Sequence, residues 1–490
     1  MQTGRSITFL IVCSILLGCS NQQQAEQPTR PDILMIAVDD LNDWVGFLGG
    51  HPQAKTPNLD RLASMGLVFE RAYCAAPVCN PSRAALLTGV SPHRSGIYKN
   101  RDSLSRSPIY GKVETLPKYL GKYGYHSSGK GKLFHHMKGP MSHPDEWDDW
   151  QNPTGNSMGQ HPGRKDGMLA NGMPYQGVFQ YGLDWASNNL SIEETQDYHV
   201  AKWAANELLK ESEKPNFIAA GLFRPHLPWY VPQEYYDRFP IDEVIVPEIN
   251  ENDLDDLGKL AKQNSGGLKQ DKDFQRIKKH GLQKEAVQAY LASMAYADDC
   301  LGILLDAILE NPNKDNTIVV LWGDHGWHLG EKLHYRKFTM WEEACRVPLI
   351  ISVPGVTQPG TSSNKMVNLL DLYPTLVNLA GLPANPENDG RSIAPLLSNP
   401  HMEWPYASVS FDQPNRSSVR TEKWRYILYE DGSEELYDHD TDSLEWNNLA
   451  SNDQYAPVLE EMRRWIPGDF EPAVSKSTGT RGVVQDEMKK

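Results

Sequence analysis

Apolar runs of strand length alternate with helical patterns over most of the chain. The strand-like runs are apolar at successive positions, and they lie within residues 31–40, 216–222, 317–323 and 346–355. Such runs predict strands that are buried on both faces, as in a parallel sheet covered by helices. The helical patterns, two of them followed by a short strand, lie within residues 56–73, 81–89, 115–135, 284–310 and 369–381. This alternation predicts an α/β domain over residues 31–384, with a large mixed, mostly parallel sheet flanked by helices.

The pattern changes near residue 385. Aromatic strand-like segments joined by short turns follow one another, and Asp431-Gly432 is a hairpin signal between two of them. A helical pattern at residues 455–466 comes last. Residues 385–490 therefore predict a small C-terminal subdomain with an antiparallel sheet and a helix. Residues 137–195 are rich in Trp, Asp, Gly and Pro, and they predict long loops over one face of the large sheet.

The N-terminus predicts export. Arg5 precedes an apolar run from Ile7 to Leu17, which has the length of a signal-peptide core and is too short for a spanning helix. Residues 16–20 resemble a bacterial lipobox, which predicts a signal peptide at 1–18, lipidation of Cys19 and a polar tether at 19–30. The alternative is an ordinary cleaved signal peptide. We expect an exported bacterial lipoprotein, held at the membrane of the cell envelope on its outer or periplasmic side.

Composition changes the picture in two ways. The formal net charge is −15 over 490 residues, and no basic stripe is present, which excludes a nucleic-acid partner. An anionic substrate would then need a local cluster of cations. Beyond Cys13 and Cys19, the remaining cysteines form neither a disulfide framework nor a metal-binding spacing, although a Cys74–Cys79 bridge stays open; they are Cys74, Cys79, Cys300 and Cys345.

Acidic residues follow two of the buried strands. Asp39 and Asp40 end the first strand, and Asp324 and His325 follow another. The carboxyl ends of parallel strands form the edge where α/β sheets bind ligands, and three carboxylates there require a neutralising cation. Oxygen ligands suit Ca²⁺ or Mg²⁺. The alternative for each acid is a helix N-cap, but two such strand ends favour a metal site.

Residues 79–83 read Cys-Asn-Pro-Ser-Arg, and Thr88-Gly89 follows. This motif resembles the signature of the type I sulfatases, whose fold is alkaline-phosphatase-like. The resemblance implies that Cys79 is oxidised to Cα-formylglycine by a formylglycine-generating enzyme, so we expect an accessible thiol. It also implies that one hydroxyl of the hydrated aldehyde attacks sulfur and that the other expels sulfate.

Further stretches resemble the iduronate-2-sulfatase-like branch of that family; they lie at residues 131–139, 221–229, 323–350 and 419–429. The resemblance implies metal ligation, with Ca²⁺ preferred to Mg²⁺, by Asp39, Asp40, Asp324, His325 and the modified Cys79. It implies that Arg83 holds the nucleophile and the carboxylates, and that Lys132 and His135 face the sulfate. His226 and Lys337 would bind sulfate oxygens and help the leaving alcohol take a proton.

Several residues keep alternatives. Lys130 could replace Lys132, because the Gly-Lys-Gly-Lys repeat permits a shift of two residues. His328 and His334 are possible pocket residues, and Trp327 is either core or a platform for a sugar ring. Residues 145–150 and 414–420 either line the pocket or form solvated loops.

The leading hypothesis is a sulfatase that acts on a sulfated polysaccharide or its oligosaccharides, such as ulvan, carrageenan or uronate-2-sulfate glycans. One alternative is a phosphate or phosphonate ester hydrolase of the same superfamily. Another is an inactive surface lipoprotein that binds glycans.

Overall fold

The computed structural model describes residue 1 and residues 30–156, 167–175, 183–264 and 273–475 of the chain. The predicted signal peptide beyond residue 1, the tether up to residue 29 and the lipidation site Cys19 lie outside the described residues. Over the described ranges, no helix combines the length and the apolar character needed to cross a membrane.

Each predicted helical pattern contains a helix, and the structure adds helices that the patterns did not predict, among them Gln196–Leu208. Those of the described residues are α1 (Pro57–Met65), α2 (Cys79–Thr88), α3 (Pro92–Ser95), α4 (Leu116–Lys122), α5 (Gln196–Leu208), α6 (Gln233–Asp237), α7 (Lys259–Asn264), α8 (Asp273–His280), α9 (Gln283–Glu310), α10 (Glu342–Cys345), α11 (Leu372–Leu379), α12 (Ala394–Ser398) and α13 (Ala456–Arg463). Gly89 ends α2 in the left-handed conformation (φ 70°), as the sequence predicts for a helix stop.

The strands form one large sheet and several small ones. They are β1 (Asp32–Val38), β2 (Leu67–Phe69), β3 (Ala72–Tyr73), β4 (His126–Gly131), β5 (Asp149–Gln151), β6 (Trp185–Asn188), β7 (Asn216–Leu222), β8 (Trp229–Pro232), β9 (Thr317–Gly323), β10 (His328–Leu329), β11 (Tyr335–Arg336), β12 (Arg346–Val347), β13 (Leu349–Ser352), β14 (Thr361–Ser363), β15 (Val367–Asn368), β16 (Ser408–Gln413), β17 (Arg416–Arg420), β18 (Trp424–Leu428) and β19 (Glu434–Asp438).

The large sheet has eight strands in the order β14-β2-β13-β9-β1-β7-β4-β5. Only β13 runs against the others, because its pairings with β2 and β9 are antiparallel while the remaining neighbours pair in parallel. Ile33, Met35 and Ala37 of β1 pack with α2, α4 and α11 on one face, whereas Leu34 and Ile36 pack with α1, α5 and α9 on the other. Burial on both faces explains the uninterrupted apolar run. The predicted α/β fold is confirmed.

A carboxylate on α9 caps another helix of the same layer. Asp298 is buried and accepts hydrogen bonds from the backbone N–H groups of Asn58 (3.0 Å) and Leu59 (2.7 Å), in the first turn of α1. These donors have no partner within α1 itself. Burial raises the pKa of Asp298 to about 6, although the same hydrogen bonds lower it.

The predicted antiparallel sheet and its helix are present at the C-terminus. Strands β16, β17, β18 and β19 form a four-stranded sheet, and Leu459 and Met462 of α13 pack against one face of it. The opposite face packs against Trp341 and Leu257 of the preceding domain. The region predicted as the C-terminal subdomain begins before this sheet. Its residues Ile393, Leu396 and Leu397 pack in the core of the large domain, around α2 and α11.

A buried ion-pair network joins this sheet to the rest of the chain. Arg425 is 1% exposed; its Nε lies 2.9 Å from Glu445, and its guanidinium also contacts Glu342. Its Nη1 donates to the Ser418 hydroxyl at 2.8 Å. Because both carboxylates are withdrawn from water, this arginine supplies the charge and the donors that make their burial tolerable.

Two segments interpreted as loops contain strands. Within residues 137–195, β5 extends the edge of the large sheet beside β4, and β6 pairs with β8. The solvated-loop interpretation of residues 414–420 is wrong, because residues 416–420 form β17 and are buried at every position. Strand β17 lies between β16 and β18, so both of its edges are paired.

Candidate active site

The predicted site residues converge at the carboxyl edge of the large sheet. Asp39 and Asp40 follow β1, Lys132 follows β4, His226 follows β7, and Asp324 follows β9. The four strands are consecutive neighbours that run in parallel, so their carboxyl ends open onto one crevice. Cys79 begins α2, whose N-terminus points into the same crevice.

Two glycines allow β4 and β7 to approach closely at this edge. A Cβ atom at Gly131, which has a φ of 89°, would lie 2.1 Å from the Gly221 carbonyl oxygen, and a Cβ at Gly221 would lie 2.2 Å from that of Lys132. The approach lets the Lys132 backbone N–H donate to the Gly221 carbonyl at 2.8 Å. Only glycine permits this contact, which aims the Lys132 side chain into the crevice.

The acidic residues and His325 form a compact set of ligand groups. Ligand atoms of Asp39, Cys79, Asp324 and His325 all lie within 4.8 Å of one another, and a second such group joins Asp40 and His226 to Asp39 and Cys79. One buried oxygen of Asp40, Oδ2, has no hydrogen-bond partner. Asp40 has a φ of 59°, and its backbone N–H donates to Asp324 at 3.0 Å.

His325 presents a lone pair to this set. Its Nδ1 lies 3.0 Å from the Gly326 carbonyl oxygen, which can only accept a hydrogen bond, so the proton sits on Nδ1. Nε2 then faces Cys79 Sγ at 3.3 Å and Asp40 at 3.3 Å. Burial lowers the pKa of His325 to about 4, so the ring is neutral near pH 7. A neutral imidazole beside three carboxylates fits a divalent cation.

Three buried cations balance the three carboxylates. Arg83 Nε lies 2.8 Å from Asp324, and its Nη2 lies 3.4 Å from Asp39. Lys132 contacts Asp39, and its Nζ lies 3.6 Å from Cys79 Sγ. Lys337 Nζ lies 2.6 Å from Asp40 and 2.9 Å from Cys79 Sγ. A bound divalent cation would therefore leave the cluster with a charge of +2, which favours an anionic ligand.

The two adjacent carboxylates respond differently to this environment. Burial alone would raise the pKa of Asp39, but Lys132, Arg83 and Lys337 outweigh burial and hold that pKa well below its ordinary value. Burial raises the pKa of Asp40 to about 7; Lys337 opposes this shift, whereas Asp39 and Asp324 add to it. Asp40 is therefore the carboxylate of the cluster that ionises least easily, and a bound cation beside it would favour its ionised form.

Cys79 is buried, so the expectation of an accessible thiol is wrong. Its exposed fraction is 0%, because the side chain lies beneath Lys132 and Lys337 at the first turn of α2. Burial and the charge of Asp39 raise the pKa of the thiol to about 12, even though both lysines lower it. The thiol is therefore protonated at neutral pH, which makes it a poor nucleophile in this form.

Two further histidines lie near the crevice. His226 Nδ1 donates to the Leu227 carbonyl at 2.6 Å, so its unprotonated Nε2 lies toward the site, 3.9 Å from Asp40 Oδ2. Burial, together with Lys132 and Lys337, holds the pKa of His226 well below its ordinary value. His135 is half-buried, its Nδ1 has no partner, and burial together with Lys132 likewise lowers its pKa.

The structure distinguishes between the alternatives for several residues. Lys132 belongs to the cluster, whereas Lys130 lies within β4 with its Nζ 5.9 Å from the Trp203 ring of α5. Trp327 is 1% exposed and packs in the core, so it offers no platform to a sugar. His328 and His334 are buried; His328 bonds Thr339 at 2.8 Å, and His334 bonds the Lys337 carbonyl at 2.9 Å.

The sequence analysis did not identify the residues that fix the backbone next to the site residues. The Tyr290 hydroxyl donates to the Asp40 carbonyl at 2.7 Å and accepts from Asn42 N–H at 3.0 Å. Asp197 accepts from the backbone N–H groups of Phe223 (2.9 Å) and Arg224 (2.8 Å), which fixes the turn before His226. Both are isolated polar residues within helices, and no local pattern sets them apart.

Comparison with known families and proteins agrees with this geometry. The sulfatase family profile matches residues 31–382, and the C-terminal profile of N-sulphoglucosamine sulphohydrolase matches residues 324–467. A sulfatase of Formosa agariphila is 34% identical, over 94% of this chain and 91% of the relative. Human iduronate 2-sulfatase is 30% identical, over 79% of this chain and 76% of the relative.

Solved structures share the fold. An enzyme in complex with its substrate D-glucosamine-2-N,6-O-disulfate superposes with a TM-score of 0.68 at 23% identity, covering 89% of this chain and 98% of that one. The phosphonate monoester hydrolase of Agrobacterium radiobacter superposes with a TM-score of 0.72 at 20% identity, covering 89% and 94%. From its sequence match and its fold, this chain belongs to the sulfatase family and is a sulfuric ester hydrolase.

Proposed function

We propose that this protein hydrolyses the sulfate esters of a sulfated polysaccharide or of its oligosaccharides, with a formylglycine derived from Cys79 and a bound divalent cation. One observation carries the proposal. The side chain at position 79 is enclosed by Lys132, Lys337 and His325, each within 3.6 Å of its sulfur, at a cluster of three carboxylates. The relatives that act on iduronate and glucosamine sulfates support a carbohydrate substrate.

Cys79 in thiol form fits this chemistry poorly, because its pKa is raised to about 12. A formylglycine would supply an oxygen nucleophile for attack on sulfur, and the cation, for which we favour Ca²⁺, would supply positive charge at that oxygen. Asp39, Asp40, Asp324 and His325 would hold the cation, because their ligand atoms already face one another.

The chain's own cations would bind the sulfate group. Lys132 and Lys337 keep their protons at neutral pH: burial lowers both pKa values, but the nearby acids outweigh it and raise them above the ordinary value. Fixed ammonium groups in a water-poor crevice stabilise the charge on the peripheral oxygens of a sulfuryl group in transfer. Arg83 lies deeper and is committed to Asp324 and Asp39, so its role is to hold those carboxylates and the helix that bears position 79.

His226 is the group best placed to manage a proton at the leaving oxygen. Its Nδ1–H bond to the Leu227 carbonyl fixes the ring, and Nε2 is the atom left to face the substrate. The His226 side chain is 22% exposed and that of Lys337 is 5% exposed, so His226 is the more accessible of the two to an incoming substrate. An incoming sulfate would favour protonation of Nε2, and a sugar alkoxide needs such an acid to leave.

A phosphate or phosphonate ester hydrolase is the second candidate. Its support is the TM-score of 0.72 with a phosphonate monoester hydrolase, which is a likeness of fold. The two candidates differ in the charge that the site must accept, because a phosphate monoester carries more negative charge at neutral pH than a sulfate monoester. An inactive glycan-binding protein is the third candidate, and it predicts binding without turnover.

The deciding experiment begins with mass spectrometry of the peptide that contains Cys79, after co-expression with a formylglycine-generating enzyme. The proposal expects conversion to the aldehyde, followed by sulfate release from one or more of ulvan, carrageenan, fucoidan and glycosaminoglycan oligosaccharides. Cys79→Ala should fold and release no sulfate. A thiol that resists conversion, or turnover confined to phosphate or phosphonate esters, would contradict the sulfatase proposal.

We also propose that Cys19 carries a lipid anchor that holds the enzyme at the cell envelope, where large polyanions first meet the cell. The support is the lipobox-like sequence at residues 16–20 and the polar stretch after it. Metabolic labelling with a fatty-acid analogue should mark the full chain and leave Cys19→Ala unmarked. Equal labelling of both would refute the anchor.

A further inference from the structure

The loop that delivers Lys337 has a strained backbone. We call residues 328–339 the lysine loop. Four of its non-glycine residues have positive φ angles: Lys332 (55°), Leu333 (50°), Arg336 (83°) and Phe338 (77°). Side chains with a Cβ avoid this conformation, so it persists only where surrounding contacts impose it. The loop therefore requires anchors outside itself.

Lys332 is a buried anchor of this loop. The residue is 3% exposed, its Nζ lies 2.7 Å from Asp253 Oδ1, and Nζ also donates to the Glu445 carbonyl. The ammonium lies 5.3 Å from the Trp341 ring centroid and 4.9 Å from that of Tyr437. A buried ammonium is costly unless it is paired, and here an acid, a carbonyl and two aromatic faces surround it.

The partners of Lys332 come from elements outside the lysine loop. Asp253 belongs to the segment before α7, whereas Tyr437 lies on β19 and Glu445 follows that strand. Glu445 is itself fixed, because its carboxylate accepts from Arg425 at 2.9 Å and from His439 at 2.8 Å. Lys332 thus connects the lysine loop to the ion-pair network of the C-terminal sheet.

Hydrogen bonds within the loop relate Lys332 to Lys337. The Gly330 N–H donates to the His334 carbonyl at 2.9 Å, and His334 Nε2 donates to the Lys337 carbonyl at 2.9 Å. His328 Nε2 and the Thr339 hydroxyl, 2.8 Å apart, close the base of the loop. A displacement at Lys332 would therefore shift the peptide that carries Lys337, whose Nζ reaches Asp40 and Cys79.

We propose that Lys332 is a positioning residue for Lys337, and that the C-terminal sheet takes part in sulfate binding through it. The catalytic consequence rests on the sulfate-binding role proposed for Lys337. A displacement on the scale of 1 Å costs about 100-fold in turnover, so loss of the anchor should lower kcat/KM by about that factor.

The test compares Lys332→Met with the matched control Lys423→Met in the full, formylglycine-bearing chain. Lys423 also pairs with an acid, Asp438 at 3.1 Å, and lies 5.0 Å from the Trp424 ring, but its side chain is 44% exposed. We expect the control to keep its activity. Lys332→Met should lose about 100-fold in kcat/KM, and inorganic sulfate should inhibit it more weakly.

A double variant separates positioning from stability. Lys332→Met leaves Asp253 buried without its partner, whereas Lys332→Met with Asp253→Leu replaces the whole pair by apolar groups, which is often neutral for folding. Positioning predicts that the double variant recovers thermal stability but keeps the loss of kcat/KM. Recovery of both, or a kcat/KM of Lys332→Met within threefold of the wild type, would overturn the proposal.

Hydrogen exchange tests the anchoring role of Lys332 independently of the proposed sulfatase activity. Backbone amides of residues 328–339 should exchange faster in Lys332→Met than in Lys423→Met, whether or not the wild type releases sulfate. An inactive wild type would refute the proposed function while the exchange rates still report on the anchor. Unchanged exchange in Lys332→Met would overturn the anchoring role.

Discussion

Replacement of Lys132 by methionine tests whether the buried cations of the crevice act on the sulfate group. Methionine keeps much of the length of the side chain and removes its charge. Lys132 contacts Asp39, and its Nζ lies 3.6 Å from the sulfur of Cys79, in a side chain that is 4% exposed. Loss of one preorganised charged donor from such a site costs about 100- to 1,000-fold in kcat, or about 2.7–4 kcal/mol. We expect a loss of that size in sulfate release.

Lys130 provides the matched control. It lies two residues earlier, within β4, and is also buried, at 8% exposed, but its Nζ lies 5.9 Å from the Trp203 ring of α5. Lys130→Met should stay within about threefold of the wild type, since its ammonium is remote from the reacting group. Equal losses in the two variants, or a Lys132→Met enzyme with more than a third of wild-type activity, would refute the reasoning.

Metal content separates this effect from loss of the cation. Removal of Lys132 changes the charge of the cluster from balanced to −1, so a divalent cation should bind Lys132→Met at least as tightly as the wild type. Elemental analysis of both proteins after dialysis should give the same metal content. An apo Lys132→Met protein would mean that the activity loss reflects the metal site instead.

Three further predictions concern the metal and the framework. Chelation should lower the thermal unfolding midpoint and abolish sulfate release. Ca²⁺ at 100 times its Kd should then restore about 2.7 kcal/mol of stability. An unchanged midpoint after chelation would argue against a bound cation. Arg425→Met removes an arginine partner from the buried Glu445 and from the partly buried Glu342, and should cost about 3–5 kcal/mol in urea unfolding. The exposed Arg464→Met should cost under about 0.5 kcal/mol, and similar costs for both would contradict a buried network. Because the folded pKa of Asp298 is raised to about 6, its favourable contribution is present at low pH and is lost as pH rises through 6. The stability of the wild type relative to Asp298→Asn should therefore fall by up to about 3 kcal/mol between pH 3.5 and 7, and a pH-independent difference would exclude the shift.

The sequence was most informative where local pattern and backbone geometry coincide. The apolar run before Asp39 predicts a strand covered on both faces, and the structure places alternate residues of β1 in two separate cores. Gly89 and the Asp431-Gly432 turn were predicted equally well, because a left-handed backbone at a helix end or hairpin leaves a signature in one or two residues. The Cys-Asn-Pro-Ser-Arg motif likewise indicated the family from five adjacent residues.

Burial was predicted less well than secondary structure. Cys79 was expected to be accessible and is enclosed by two lysines that lie 53 and 258 residues away in sequence. Residues 414–420 resembled a solvated loop, because their polar side chains gave no sign that β17 is one of the two inner strands of a four-stranded sheet. The lysines that enclose Cys79 come from distant parts of the chain, and a local pattern does not contain them. The burial of β17 depends on its pairing with β16 and β18 and on the packing of their sheet, which the residues of β17 alone do not show.

The sequence by itself determined the central strands of the large sheet, the order of the acidic strand ends and the residue types that carry the chemistry, since these depend on neighbours along the chain. Only the tertiary structure decided between Lys130 and Lys132: Lys130 lies within β4 and near Trp203 of α5, whereas Lys132 follows the strand at the carboxyl edge and contacts Asp39. The tertiary structure also placed Trp327 in the core, and it placed Lys332 against Asp253 and Tyr437, which belong to two other segments. Electrostatic balance among three acids and three cations is a property of distances, and those distances exist only once the sheet has brought the strand ends together.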